Sequence, residues 1–146
     1  MKWVSNTWWR LNVWIQYYVN SFHLHGIHSP FVFEFHESFW KKNSRNNPGW
    51  EDALKSWFEK GLQAQGKKSI FAVAYAYKIT DDQWNRLQEM APLDGGTVLI
   101  KGIRNNRNAW QKWNMLSDLF TCSIDTGRDG ILVAKRGQEK EYFWLK

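Results

Sequence analysis

The chain has 146 residues, a formal charge of +6, one cysteine and eleven tryptophans, with aromatics at 17%. That length suits one ordinary domain with its own core, and a lone Cys122 excludes an internal disulfide. The basic charge permits a nucleic-acid or anionic partner without requiring one, and no apolar run reaches bilayer length.

Taken in chain order, residues 3–22 read as a helix. Val4, Trp8, Leu11, Ile15, Tyr18 and Phe22 recur at spacings of three and four, which puts them on one stripe. Trp3, Trp14 and Tyr17 form a second apolar set, so the helix is expected to make contacts on two sides, one of them with a second subunit. Its start is too polar for a signal peptide, and Lys2 and Arg10 are too few cations for an interfacial membrane helix. The expected setting is soluble and cytoplasmic.

"HLHGIH" then packs three histidines around Gly26, and His36 follows. His23, His25, His28 and His36 are the types that ligate zinc, but no cysteine and no His-Glu-x-x-His pattern accompanies them. The stretch reads instead as a structural turn. His25 and His28 bond backbone, Gly26 supplies a positive φ, and Pro30 opens the next helix with Ser29 as cap. Phe31, Phe35 and Phe39 sit four apart along that helix. "KKNSRNNPGW" is a linker, and a helix follows from Trp50 to Gln65, closed by Gly66.

The rhythm then changes. "SIFAVAYAY" (69–77) is a continuous apolar run of the kind that suits a strand covered on both faces. Thr80 caps a helix with Asp81 and Asp82 in its first turn. Thr97–Ile100 is a second buried strand, Asn106 opens a helix to about Leu116, and "FTCSID", "GILVAKR" and "EYFWLK" are three closing strands. The alternation implies a parallel pair joined by a right-handed crossover, with an antiparallel edge added by the last strands. In "FTCSID", Cys122 reads as a small buried hydrophobe, and Asp125 and Asp129 flank the turn that follows and read as turn residues.

"HGIHSPFVFEF" resembles the N-terminal motif of a group of short bacterial class I S-adenosylmethionine-dependent methyltransferases, which carry a helical arm before a Rossmann-like core. "DGGTVLIKGIRNNRNAWQKWNMLSD" and "FTCSIDTGRDGILVAKRGQEKEYFWL" are similar to the family's later strand–helix stretch and closing strands. The resemblance implies an α/β fold: a truncated Rossmann-like mixed sheet with an N-terminal helical arm, residues 1–48 being arm and linker and 49–146 the sheet domain. It also implies a cofactor site, and here the chain departs. No G-x-G-x-x-G occurs, only one helix fits between the linker and the first strand, and Lys101-Gly102 stands where the family has acids. The expected reading is a methyltransferase-like pseudoenzyme with no cofactor, acting through protein contacts and forming a homodimer. S-adenosylmethionine enters only if the family site survives.

Two other readings compete. Lys101, Arg104, Arg107 and Lys112 lie past the carboxyl end of a predicted strand beside Trp110 and Trp113, a mixture suited to an anion or nucleic acid. An active methyltransferase with an unconventional cofactor site is the third reading.

Overall fold

The computed structural model describes residues 8–15, 30–135 and 140–145. Chain order runs α1 (8–15), α2 (Pro30–Phe35), α3 (Trp50–Ala64), β1 (Ile70–Tyr75), α4 (Asp81–Met90), β2 (Gly96–Lys101), α5 (Arg107–Leu119), β3 (Cys122–Asp125), β4 (Gly130–Val133) and β5 (Glu141–Trp144). The expected helix ends at 3–7 and 16–22, the cap at Ser29 and the Gly26 turn lie outside the described residues.

Local chemistry sets the helix boundaries. Pro30 opens α2, and the helix then widens to π-type turns over His36–Trp40, where Lys41 N–H reaches back to the His36 carbonyl at 3.0 Å. Thr80 and Gln83 form a reciprocal capping box at α4, at 3.2 and 3.1 Å. Asn106 accepts the Ala109 N–H at 2.8 Å and starts α5. The linker ends where expected: Trp50 begins α3, and Gly66 leaves it with φ +69.

The five strands form one mixed sheet in the order β1-β2-β4-β3-β5. β1 and β2 are parallel, joined across α4, as the alternation predicts. Two expectations need correction. The antiparallel strand is not an edge: β4 pairs with both β2 and β3, and β5 closes the far side parallel to β3. The tight 126–129 turn forces β3 and β4 to be antiparallel, but a hairpin leaves open which of its strands lies nearer β2. Second, β1 packs on both faces, Ala72 and Ala74 in one core layer and Phe71 in the other, but that cover is incomplete. Among the described residues it is the sheet's edge, with Ile70, Val73 and Tyr75 each about two-fifths exposed (43%, 40% and 39%). An apolar run reports apolar faces; it carries no information about whether a strand lies on each side.

Side-chain alternation divides the core into two layers. Val98 and Ile100 of β2 and Leu132 of β4 face α4 and α5 in one cluster, with Leu87, Trp113 and Leu116. Leu99, Ile131 and Val133 face the other way, against Val32, Phe35, Phe39, Leu54 and Phe58 of α2 and α3. The stretch from Pro30 to Trp40 therefore shares a core with the sheet.

α1 docks by the face that carries Val13 and Trp14. Val13 is buried, Arg10 donates to the Asn105 carbonyl at 2.8 Å, and Trp14 lies against the Arg104 guanidinium at 5.3 Å. The stripe of Trp8, Leu11 and Ile15 is exposed instead. With apolar residues on two faces, periodicity identifies a helix but leaves open which face docks.

Two glycines test the packing in opposite directions. A Cβ at Gly61, inside α3, meets nothing, whereas one at Gly130 of β4 runs into the Trp113 ring. Gly61→Ala is expected to raise stability by about 0.5–1 kcal/mol through helix propensity. Gly130→Ala is expected to lower it by about 1–3 kcal/mol through overpacking. Urea unfolding of the two variants measures both.

Candidate functional site

The carboxyl ends of parallel strands are where open α/β sheets place their ligands. Here β2 ends at Lys101, and Gly102 turns the chain with φ +70, its N–H held by Asp129 Oδ1 at 3.0 Å. Ile103 N–H then bonds the Arg128 carbonyl at 3.0 Å, tying this loop to the β3–β4 turn.

That connection aims Arg104 inward. Its guanidinium grips Asp125 with two bonds, Nη1 to Oδ1 at 2.5 Å and Nη2 to Oδ2 at 2.7 Å, and Nη1 also reaches the Gly127 carbonyl at 2.7 Å. Both residues are buried. Asp125 further accepts Gly127 N–H at 3.0 Å and Tyr142 O–H at 2.9 Å, while Trp113 Nε1–H donates to the Tyr142 oxygen at 2.7 Å. Trp110 flanks the guanidinium at 4.7 Å. Burial, and next the charge of Asp125, push the Tyr142 phenol pKa up, so it stays a proton donor. A buried carboxylate and guanidinium that satisfy each other in this way form a structural clamp. Sequence reading placed Asp125 only at a turn; its partner across the sheet end was invisible in the local pattern.

Lys101 points elsewhere. Its ammonium pairs with Glu51 of α3, and that hydrogen bond is the main cause of its raised pKa. It lines a polar cleft of about 460 Å³ between the linker and the β3–β4 turn. Three cations, Arg45, Lys101 and Arg128, face three carboxylates there, Glu51, Asp52 and Asp129. Arg107 begins α5 and is exposed beside a groove lined by Trp8, Leu11 and Ile15 of α1, and half-buried Lys112 lies farther along α5. The four cations singled out in the sequence are therefore spread over separate surroundings. Two of them are held by carboxylates of their own chain.

The histidine cluster is represented by His36 alone, whose Nδ1 lies 3.3 Å from Glu37 Oε1. His23, His25, Gly26 and His28 lie outside the described residues, while Pro30 takes its expected place at the start of α2. No three metal-ligating side chains converge among the described residues. Burial pushes the Cys122 thiol up to about 12, which leaves it protonated and unreactive near neutrality.

The remaining feature is the outer side of β1. Ile70 N–H points to the Gly95 carbonyl of the β2 side, 3.4 Å away. By strand alternation, the N–H groups of Phe71, Val73 and Tyr75 then point outward. Among the described residues no strand meets them. Just past the strand, Tyr77 is also exposed and packs edge-on against Tyr75 at 5.8 Å, with the Lys78 ammonium over Tyr75 at 4.6 Å.

No helix among the described residues is long and apolar enough to cross a membrane. Comparison with protein-family models, curated proteins and solved structures finds no match to this chain.

The clamp is tested by a double-mutant cycle in urea. Arg104→Met is expected to cost about 3–5 kcal/mol, because it leaves Asp125 buried without its cation. Adding Asp125→Asn is expected to return part of that loss, so the two changes are not additive. Lys101→Met, at a half-exposed pair, is expected to cost less than about 1 kcal/mol.

Proposed function

We propose that this chain is a methyltransferase-like protein that carries out no methyl transfer and works through protein contacts, with two copies pairing along β1. The observation that carries this reading is the open edge of β1, whose outward N–H groups and exposed Ile70, Val73 and Tyr75 face no strand among the described residues.

The strand suits pairing with itself. Antiparallel pairing about a twofold axis at Val73 sets Val73 opposite Val73. It also brings Phe71 of one copy opposite Tyr75 of the other, twice. Such aromatic cross-strand pairs are worth roughly 0.2–1 kcal/mol each. The result is one continuous sheet with the outward backbone groups satisfied. The resemblance supports the same place, since the strands it leads one to expect before β1 have no room between α2 and β1, where only α3 stands.

The non-catalytic half of the proposal rests on chemistry. The sequence has no glycine-rich phosphate cradle, and β2 ends in a lysine bound to Glu51 where the resemblance implies an acid. A ribose hydroxyl needs an acceptor there, and this ammonium only donates.

Sedimentation velocity tests the pairing. The wild-type chain is expected to pass from monomer to dimer with rising concentration. Val73→Pro removes an outward N–H, a change an edge strand tolerates, and is expected to stay monomeric with an unchanged circular dichroism spectrum. A wild-type monomer at every concentration contradicts the pairing. Saturable heat on titration with S-adenosylmethionine contradicts the loss of methyl transfer.

A further inference from the structure

On the α3 side of the sheet lies a pocket of about 420 Å³, within the range of small-molecule sites. Its walls are aromatic: Phe31 of α2 and Trp57 and Phe58 of α3. Its floor is the start of β2 and the end of β4.

Three features distinguish it from a packing defect. The first is Thr97. This residue is 1% exposed, faces the pocket on the same side of β2 as Leu99, and its hydroxyl has no hydrogen-bond partner among the described residues. A buried hydroxyl without a partner is destabilising and uncommon in folded proteins. The second is Gly61, a glycine inside a helix, where it weakens α3. A side chain there would enter open space, and the residue lines the pocket.

The third is charge. Thr97 is opposite Val133 in the antiparallel register, and the ladder runs on through Ala134 N–H to the Gly96 carbonyl at 2.8 Å. Lys135 follows on the same face as Val133, diagonal to Thr97, and its ammonium lies over the Phe31 ring at 4.9 Å. Five charged residues line the pocket: Glu34, Lys60, Lys67, Asp94 and Lys135. Lys67 and Asp94 neutralise each other at 2.7 Å, so the rest leave one net positive charge.

We infer that this pocket binds a small apolar carboxylate, held at its charged end by the Thr97 hydroxyl and the Lys135 ammonium and along its body by Phe31, Trp57 and Phe58. The hydroxyl donates to one carboxylate oxygen and the ammonium to the other. The acyl chain or ring lies against the aromatic walls in the space that Gly61 keeps open. An amine would set a second cation beside Lys135, and an alcohol would forgo the ion pair.

Isothermal titration calorimetry with octanoate, octylamine and 1-octanol tests this. Octanoate is expected to bind saturably at one site per chain, and the other two at least about fivefold more weakly. Thr97→Val and Lys135→Gln are each expected to weaken octanoate about five- to tenfold. Gly61→Leu, which fills the pocket from α3, is expected to abolish binding while circular dichroism stays unchanged. Lys135 is half-buried and lies past the end of β4, so its variant keeps the test alive if Thr97→Val alters folding. No saturable heat from octanoate overturns the assignment, as does equal binding of octylamine or full affinity in both variants. No residue of β1 lines the pocket, so Val73→Pro is expected to leave octanoate binding intact, and the two readings fail separately.

Discussion

A β-strand carries hydrogen-bonding groups on both sides, and β2 engages only one side of β1. That imbalance governs the reading of the molecule. Edge strands in soluble proteins are ordinarily defended by a charge, a proline, a bulge or a covering element. The segment "IFAVAY" has no charge, proline or glycine. Lys67, Lys68 and Lys78 flank it without interrupting it. An apolar, regular, six-residue edge is a template for another strand. Pairing with a second copy satisfies it symmetrically and ends there, whereas an open-ended contact would propagate.

The other end of the sheet is organised in the opposite sense. Arg104, Asp125, Tyr142 and Trp113 form a continuous chain of hydrogen bonds within the molecule. It ties the β2–α5 connection, the β3–β4 turn and β5 together at the carboxyl end of β2. A site meant to receive an anionic ligand needs cations whose partner is the ligand. Arg104 already has an internal carboxylate, and Lys101 has Glu51. Charge at this end stabilises the fold, and the exposed apolar surface lies elsewhere, on β1 and along Trp8, Leu11 and Ile15 of α1.

Much of the architecture was legible because it depends on short-range chemistry. The Thr80 and Asn106 caps, the Pro30 start and the Trp50 helix are decided within a turn of chain, and the structure follows them. The parallel β1–β2 pair follows from alternation around one helix. What escaped depends on long-range choices. Nothing in "SIFAVAYAY" records whether a strand lies beyond it, and nothing in a hairpin sequence says which strand lies inward. For α1, two apolar faces compete and the docked one is selected by Arg104 and Asn105, far along the chain. The Arg104–Asp125 ion pair joins residues 21 apart, beyond the reach of any local pattern. The orphaned Thr97 hydroxyl had no sequence signal at all, since a threonine in a strand is ordinary.

The outward amides of β1 decide whether two copies pair. Hydrogen–deuterium exchange, read at the N–H groups of Phe71, Val73 and Tyr75 over a range of protein concentrations, measures them directly. Strand pairing between copies predicts that their protection rises with concentration, while the amides of β2, already bonded on both sides, stay constant. Rapid exchange at all three positions, at concentrations from dilute to crowded, would contradict it.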